Sequence, residues 1–249
     1  MSEPTATVVS NNHNHTREPL ALAPTPSPNF INQIVNGDCL TVLPQLAALS
    51  VDFVLTDPPY VAHYRDRTAR TVMNDDRAEW LTPAFAEIYR VLKPDRFCVS
   101  FYGWSQVDKF FAAWRAAGFR AVGHLVWPKR YASAHRFLDY CHEQAYLLVK
   151  GNPAVPAATI PDVLAWRYTG NRLHPTQKPV PSLKPVIEAF TEAGEIVLDP
   201  LCCRQQMQSI FSPAARCETL RVRSNVDRRD GELKMDWTKP PHDTSAYGY

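Results

Sequence analysis

A chain of 249 residues that is 45% hydrophobic is long enough to form one α/β domain with its own core. The formal net charge of +2 is too small to indicate a polyanionic partner, so any affinity for nucleic acid has to come from local patches. The six cysteines include no C-x-x-C pair, which favours reduced thiols and excludes a recognisable disulfide or zinc framework. No apolar run approaches about 18 residues and no charged-then-apolar leader opens the chain, so we expect a soluble, cytoplasmic protein without a membrane partner.

The chain begins with a polar segment and then changes character. Residues 1–29 are rich in Pro, Thr, Ser and Asn and lack periodicity, so we expect a disordered tail. A short strand is predicted over 31–35, and residues 40–49 have helical spacing. The near-continuous apolar run 51–56 is typical of a strand that is buried on both faces of a parallel sheet.

The middle of the chain alternates helices and strands. Helices are predicted over 79–92 and 105–117, and Gly118 is the expected C-terminal cap of the second. A further helix over 182–193 is expected to be broken in its first turn by Pro185. The remaining predicted strands are 96–102, 120–127, 144–149 and 195–200. Alternation with short links predicts a doubly wound, mostly parallel α/β sheet.

A stiff acidic loop follows the buried strand 51–56. Its sequence is Thr-Asp-Pro-Pro-Tyr, and Pro58 and Pro59 lack an N–H and have a fixed φ. Such a loop can hold the Asp57 carboxylate and the Pro58 carbonyl as two acceptors beside the flat ring of Tyr60. An exocyclic amine on a flat heterocycle fits this arrangement, because the acceptors take its two N–H groups while the ring stacks on the base. The alternative is a Pro-Pro turn with an Asp there by chance.

Two further motifs follow in a fixed order. His-Pro-Thr-Gln-Lys-Pro occupies 174–179, and Val-Leu-Asp-Pro occupies 197–200. The ordered set resembles the amino-group DNA methyltransferases, which use S-adenosylmethionine to methylate adenine N6 or cytosine N4. The placement of the Asp-Pro-Pro-Tyr loop before Val-Leu-Asp-Pro resembles the circularly permuted β-class. The resemblance covers roughly residues 31–200 and implies a methyltransferase-type sheet over a domain of residues 30–200.

The resemblance implies catalytic roles for Asp57, Pro58, Pro59 and Tyr60. No covalent enzyme intermediate is needed, so catalysis would consist mostly of orienting the amine. The target base would be flipped out of the duplex and stacked on Tyr60, whose ring alone is expected to matter. Asp at the first position looks more like the adenine enzymes than the cytosine enzymes, where Ser is commoner.

The cofactor would lie at the carboxyl ends of the strands. Asp38 and Cys39 follow the strand that is expected beside the Asp-Pro-Pro-Tyr strand, and by resemblance Asp38 would bind the cofactor adenine. A helix N-cap is the alternative role of Asp38 and is compatible with the first. Lys178 or His174 could bind the cofactor carboxylate or ribose. The other cofactor-binding residues that the resemblance implies are Asp57, Thr176, Gln177, Asp199 and Pro200.

Two loops, at about 61–76 and 128–141, combine basic and aromatic residues. That combination suits phosphate contacts and insertion near an extruded base, although a solvated surface loop is the alternative for both. The predicted DNA contacts are Arg65, Arg67, Arg70, Lys129, Arg130 and Arg136. We expect double-stranded DNA as the partner; a homodimer and a partner restriction endonuclease are left open.

The resemblance ends after Pro200. Family members have a glycine-rich turn there, whereas this chain has no glycine between Gly194 and Gly231. Because only glycine lets the backbone approach a cofactor so closely, we expect S-adenosylmethionine binding to be weak or lost. No second strand is evident after this point, so residues 201–249 are expected to be divergent and poorly ordered. A frame slip near residue 202 and a genuine divergent turn both explain the break.

Two rival functions follow from this sequence. The first is a catalytically inactive remnant of such a methyltransferase that retains some DNA binding, which the missing glycine turn favours. The second is methylation of a protein glutamine or of RNA, although those enzymes usually carry Asn first in the tetrapeptide.

Overall fold

The computed structural model describes residues 30–63, 74–133, 137–169, 178–202 and 218–223. Several predictions therefore lie outside the described residues. They concern the tail 1–29, the DNA contacts Arg65, Arg67, Arg70 and Arg136, the motif residues His174, Thr176 and Gln177, and most of 201–249.

Seven strands in the described part of the chain form one sheet. The elements are β1 (Gln33–Asn36), α1 (Cys39–Val42), β2 (Val51–Thr56), α2 (Leu81–Val91), β3 (Leu92–Phe101), α3 (Val107–Ala117), β4 (Arg120–Pro128), β5 (His142–Lys150), α4 (Val180–Phe190), β6 (Ile196–Cys202) and β7 (Glu218–Arg223). The spatial order is β1-β7-β6-β2-β3-β5-β4. Strands β1, β7, β6, β2 and β3 are mutually parallel, and β5 is antiparallel to both β3 and β4.

The permuted motif order brings β2 and β6 side by side. Phe53 pairs with Val197 and Val54 with Leu198, so the carboxyl ends of the two strands lie at the same edge of the sheet. All six residues of β2 are buried, as expected of a central strand covered on both faces. The doubly wound, mostly parallel sheet predicted from the sequence is confirmed.

Apolar side chains of β2 alternate between two core layers. Val54 packs in the layer that contains Phe85 of α2 and Trp114 of α3. Phe53 packs in the opposite layer, with Leu183 of α4. The period-two alternation of a strand therefore fixes which helices cover each face.

Two predicted helices differ from those observed. Helix α4 continues through Pro185, because the buried side chains of Leu183 and Val186 hold it on the sheet while the Pro ring is exposed. It ends at Phe190, before Gly194. The predicted helix over 40–49 is shorter, since α1 gives way at Leu43–Gln45 to a 3-10 turn that contains Pro44.

Two predictions about the sheet were wrong. The strand before Asp38 does not lie beside β2, because β6 and β7 lie between β1 and β2. A second strand also exists after β6, namely β7, which pairs in parallel with β1 on one side and β6 on the other. That strand is defined by its backbone pairing with β1 and β6. The weak apolar pattern of the segment gives no indication of it.

Candidate active site

The loop after β2 packs tightly against the end of β3. Gly103 lies two residues beyond β3, and a Cβ atom at that position would be 2.5 Å from the Tyr60 carbonyl oxygen and 2.9 Å from the Tyr60 Cβ. The φ of Gly103 is an ordinary −79°, so glycine is required here by close approach alone. Because Pro58 is buried as well, the loop has little room to move.

Among the described residues, Tyr60 and Lys178 donate to the Asp57 carboxylate. The Tyr60 hydroxyl donates to Oδ1 at 3.0 Å, and the Lys178 ammonium donates to Oδ1 and Oδ2, each at 3.0 Å. The exposed fractions of the Lys178 and Asp57 side chains are only 5% and 14%. Charge-assisted bonds to both oxygens fix the plane of the carboxylate.

The ionic contacts continue beyond Lys178. Its Nζ atom lies 3.5 Å from Oε2 of Glu143, and Oε1 of Glu143 accepts from Lys129 Nζ at 2.7 Å. Lys129 also donates to the Ser133 hydroxyl. We refer to Asp57, Lys178, Glu143 and Lys129 as the charge chain. Its signs alternate, so each buried ammonium faces a carboxylate, as burial of a charge requires.

Three loops and the first residues of β5, all at the same end of the sheet, supply the charge chain. Lys129 directly follows β4 and Glu143 is the second residue of β5, where it pairs with Trp127 across the antiparallel ladder. Lys178 lies just before α4, and the Trp127 indole N–H donates to the Ser182 carbonyl at 3.1 Å. That bond ties the first turn of α4 to β4 and sets the position from which Lys178 reaches Asp57.

Aromatic rings surround both ammonium groups. Lys178 Nζ lies 5.2 Å from the ring centroid of Tyr60 and 4.9 Å from that of Phe101. Lys129 Nζ lies 5.6 Å from the Tyr131 ring and 5.8 Å from the Trp166 ring. Such cation–π contacts compensate part of the lost hydration of each ammonium group.

The charge chain sets the ionisation of Lys178, of Glu143 and of the neighbouring Tyr60. Burial by itself lowers the pKa of Lys178, but Asp57, Tyr60 and Glu143 outweigh it and hold that pKa well above 10.5. Burial raises the pKa of Glu143, but Lys178 and Lys129 bring it below 4.5. Burial and the Asp57 carboxylate raise the pKa of Tyr60 well above its ordinary value. At neutral pH the lysine is therefore charged, Glu143 is ionised and the Tyr60 hydroxyl is a donor.

Several predicted site residues meet here, and others have a different role. Asp57, Tyr60 and Lys178 lie together, but Lys178 binds the Asp57 carboxylate, where the sequence predicted a cofactor contact. The structure also corrects the prediction for Lys129, whose side chain is 3% exposed and ion-paired with Glu143, so it is not a surface contact for phosphate. Arg130 is exposed, as its predicted role requires.

Glu143 was missed by sequence reasoning. The one available signal was its position just before the apolar run of β5. Because β5 is antiparallel to β3, the start of β5 lies next to the carboxyl end of β3.

Carboxylates also occur just after β1, at Asp38, and within β6, at Asp199. Asp199 is buried, and its Oδ1 accepts from the Leu201 N–H at 3.3 Å. Asp38 accepts from the Leu40 N–H at 2.9 Å, which confirms the N-cap interpretation. The neighbouring Cys39 thiol is buried, and burial raises its pKa to about 12. Open parallel sheets bind their ligands at this edge.

Comparisons with known proteins agree with this arrangement. The sequence model of a DNA methylase family, of the N6/N4 methyltransferase type, matches residues 51–166. A putative methylase of Escherichia coli strain K12, YubD, is 54% identical over 170 residues, covering 68% of this chain and 75% of that protein. The chain belongs to this DNA methylase family. The family resemblance drawn from the three motifs is therefore confirmed.

Another member of the family is more distant. The DNA adenine methyltransferase YhdJ of Escherichia coli strain K12 is 28% identical over 218 residues, covering 71% of this chain and 73% of that protein.

Solved structures of DNA methylases share the fold. M1.HpyAVI in complex with SAM has a TM-score of 0.58 and 19% identity, and the match covers 78% of this chain and 94% of that one. The cytosine-N4-specific PvuII DNA methyltransferase has a TM-score of 0.59 and 14% identity, with coverages of 82% and 83%. At these identities the similarity concerns the fold alone.

The described residues fit part of the cofactor of this S-adenosylmethionine-dependent family. Asp38 and Asp199 supply carboxylate acceptors at the ligand-binding edge, which suit an adenine amine and ribose hydroxyls. Residues 203–217, where the family has its glycine turn, lie outside the described residues. None of the described helices combines the length and apolar character that a membrane span requires. Within the same residues, no cluster of three or more His, Cys, Asp or Glu side chains could hold a metal ion.

Proposed function

We propose that this DNA methylase holds the exocyclic amine of an extruded base at the Asp57–Tyr60 loop, and that the amine is N6 of adenine. The main observation behind this proposal is that Lys178 and Tyr60 fix the Asp57 carboxylate directly after β2. Strand β6 pairs in parallel with β2, so a cofactor at the carboxyl end of β6 and a base at that of β2 would meet at one edge.

Orientation of the amine would do most of the work. An N–H of the amine donates to Asp57 and the other to the Pro58 carbonyl, which turns the nitrogen lone pair away from the base ring. S-adenosylmethionine, when bound, supplies an electrophilic methyl group. The incoming N–H has to join or displace the donors already on Asp57. This carboxylate, held by Lys178 through both oxygens, acts as an oriented acceptor, and the released proton passes to solvent.

Two observations support adenine as the target. Asp is the first residue of the tetrapeptide, and one relative is named as a DNA adenine methyltransferase. The fold itself does not discriminate, since a cytosine-N4-specific enzyme has it too. Digestion of treated DNA to nucleosides and mass spectrometry would test the proposal: N6-methyl-2′-deoxyadenosine is expected, and N4-methyl-2′-deoxycytidine would contradict it.

An aromatic rim beside the loop supports DNA as the partner. Trp104, 60% exposed, follows Gly103 and stacks on Tyr140 at a centroid distance of 5.6 Å. Tyr131 meets Tyr168 at 5.3 Å, and Arg130 is exposed next to it. We propose that this rim receives the extruded base while Arg130 contacts phosphate. Arg130→Ala should weaken binding of duplex DNA and reduce its salt dependence.

The alternative is an inactive remnant that keeps DNA affinity. The absence of glycine between Gly194 and Gly231 favours it, because side chains would occupy the space where the cofactor backbone contacts are made. Calorimetric titration of S-adenosylmethionine into the 249-residue chain separates the two functions. Micromolar binding supports the enzyme, and DNA binding without cofactor binding supports the remnant.

A further inference from the structure

We infer that Glu143 is a positioning residue of the methyl-transfer site, because it holds the Lys178 ammonium against both oxygens of Asp57 while Lys129 fixes Glu143 itself. The inference rests on the proposed function of Asp57. None of the three catalytic motifs contains Glu143 or Lys129.

The contact of Lys178 with Asp57 needs a second anchor. A lysine side chain has four flexible methylene groups, so holding it in one rotamer costs conformational entropy. Lys178 lies 3.0 Å from each Asp57 oxygen and 3.5 Å from Oε2 of Glu143. Two carboxylates from distant parts of the chain, Asp57 directly after β2 and Glu143 on β5, therefore share one ammonium and limit its position.

Glu143 is well placed to transmit rigidity. Its backbone belongs to β5, which pairs with both β3 and β4. The hairpin is closed next to it, since the Lys129 N–H donates to the Cys141 carbonyl at 2.6 Å. The Lys129 side chain then reaches Oε1 of Glu143 at 2.7 Å. A site residue supported from a strand is held more precisely than one supported from a loop.

Stability alone gives a poor reason for this arrangement. A buried ion pair is often no more stable than apolar side chains of the same volume, because desolvation offsets the Coulomb attraction. Asp57 alone already pairs with Lys178. Adding Glu143 and Lys129 buries a second pair, so we assign the additional contacts to the position of Lys178.

The first test compares Glu143→Gln with Glu188→Gln. Glu188 forms an exposed ion pair with Lys184 on α4 and serves as the matched control. Glu143→Gln keeps the shape but removes the charge, so kcat for methyl transfer should fall about 10-fold or more while KM for DNA changes little. Glu143→Asp should recover part of kcat, and the control should match the wild type. An unchanged kcat in Glu143→Gln overturns the inference.

A charge-compensated double variant separates positioning from stability. Glu143→Gln leaves Lys129 buried without a carboxylate, so the single variant loses stability. Adding Lys129→Met should bring the urea midpoint back towards the wild type but leave kcat low. Recovery of both quantities would show that Glu143 only neutralises Lys129, and would overturn the inference.

The NMR signal of the Lys178 ammonium tests the inference even if the protein is inactive. Asp57, Tyr60 and Glu143 face the Lys178 ammonium, whose ¹⁵N signal can be assigned with Lys178→Arg. In the wild type this signal should be protected from exchange, and in Glu143→Gln it should shift and exchange faster. An unchanged Lys178 signal overturns the inference. Absence of methyl transfer by the wild type would instead overturn the proposed function, so the two failures are distinguishable.

Discussion

The two ends of strand β2 carry similar chemistry with different consequences. At the amino end, Asp52 pairs with Lys93 at 2.7 Å and with Arg96 at 3.3 Å, and Arg96 also pairs with Glu195 at 2.5 Å. Asp52 also accepts from the Ile196 N–H of β6 at 3.0 Å. At the carboxyl end, Asp57 begins the charge chain.

The Asp52 cluster and the charge chain differ in the burial of their cations and in their contacts with the backbone. The side chains of Lys93 and Arg96 are 29% and 33% exposed, and Asp52 binds the backbone of a neighbouring strand. The lysines of the charge chain are at most 5% exposed. We infer that the Asp52 cluster joins strands and stabilises the sheet, whereas the charge chain orients an acceptor at the ligand edge.

The largest expected effect is on chemistry at the carboxyl end. Asp57→Ala removes an oriented acceptor at the transferring nitrogen, so methyl transfer should fall about 10²-fold or more. The urea midpoint should change less than the rate does. Tritiated-methyl incorporation into unmethylated DNA measures the loss. Near-normal incorporation by the variant would remove Asp57 from the catalytic role.

A substitution of Asp52, at the amino end of β2, should lower stability and leave catalysis unchanged. Asp52→Asn removes the carboxylate that pairs with Lys93, leaves Arg96 with Glu195 alone and weakens the bond to Ile196, which should cost about 2 kcal/mol of unfolding free energy. The folded fraction should keep the wild-type kcat. Urea denaturation and kinetics on the same sample check both. A variant that loses kcat at unchanged stability would erase the distinction between the two ends.

Close packing at the carboxyl end gives the next effect. Gly103→Ala would place a methyl group against the Tyr60 backbone, so it should cost about 1–3 kcal/mol and lower kcat by displacing the loop. Gly123→Ala in β4 is the control, because its Cβ would meet Leu147 at an ordinary 3.4 Å. Equal effects of the two variants would show that the loop tolerates the added methyl group.

The Tyr60 hydroxyl should have a smaller effect. The sequence predicted that Tyr60→Phe is tolerated, but the structure shows this hydroxyl bound to Asp57. We therefore expect kcat/KM to fall by a factor that corresponds to about 1 kcal/mol of transition-state stabilisation. Tyr60→Ala also loses base stacking, about 1–3 kcal/mol in DNA binding. Rates and binding of the two variants separate the contributions. A fully active Tyr60→Phe protein would restore the simpler stacking role.

The smallest effect is the pH dependence of stability. The pKa of Glu143 is below 4.5 in the folded protein, so its contribution is present above 4.5 and is lost as pH falls through the folded value. Unfolding free energies of wild type and Glu143→Gln should therefore converge as the solution is acidified. Parallel curves between pH 5 and about pH 3 would contradict the ionised state of Glu143.

Local patterns predicted what local chemistry determines. The stiffness of Pro58 and Pro59 and the acceptor Asp57 were visible in the sequence, as was the strand 51–56. Contacts between distant segments were not visible. Glu143 reaches Lys178 only through the antiparallel pairing of β4 with β5, and strand β7 is defined by its neighbours in the sheet. Lys129 looked like a surface cation because its carboxylate partner lies 14 residues away.

The most direct test is nucleoside analysis of DNA treated with the full chain. Unmethylated duplex DNA would be incubated with a large excess of S-adenosylmethionine, to offset weak cofactor binding, and with either the wild type or Asp57→Ala. We predict N6-methylated adenine from the wild type and at least a 10²-fold lower yield from the variant. Equal yields from the two proteins, or no methylated base from the wild type, would contradict the assignment of amine methylation to the carboxyl end of β2.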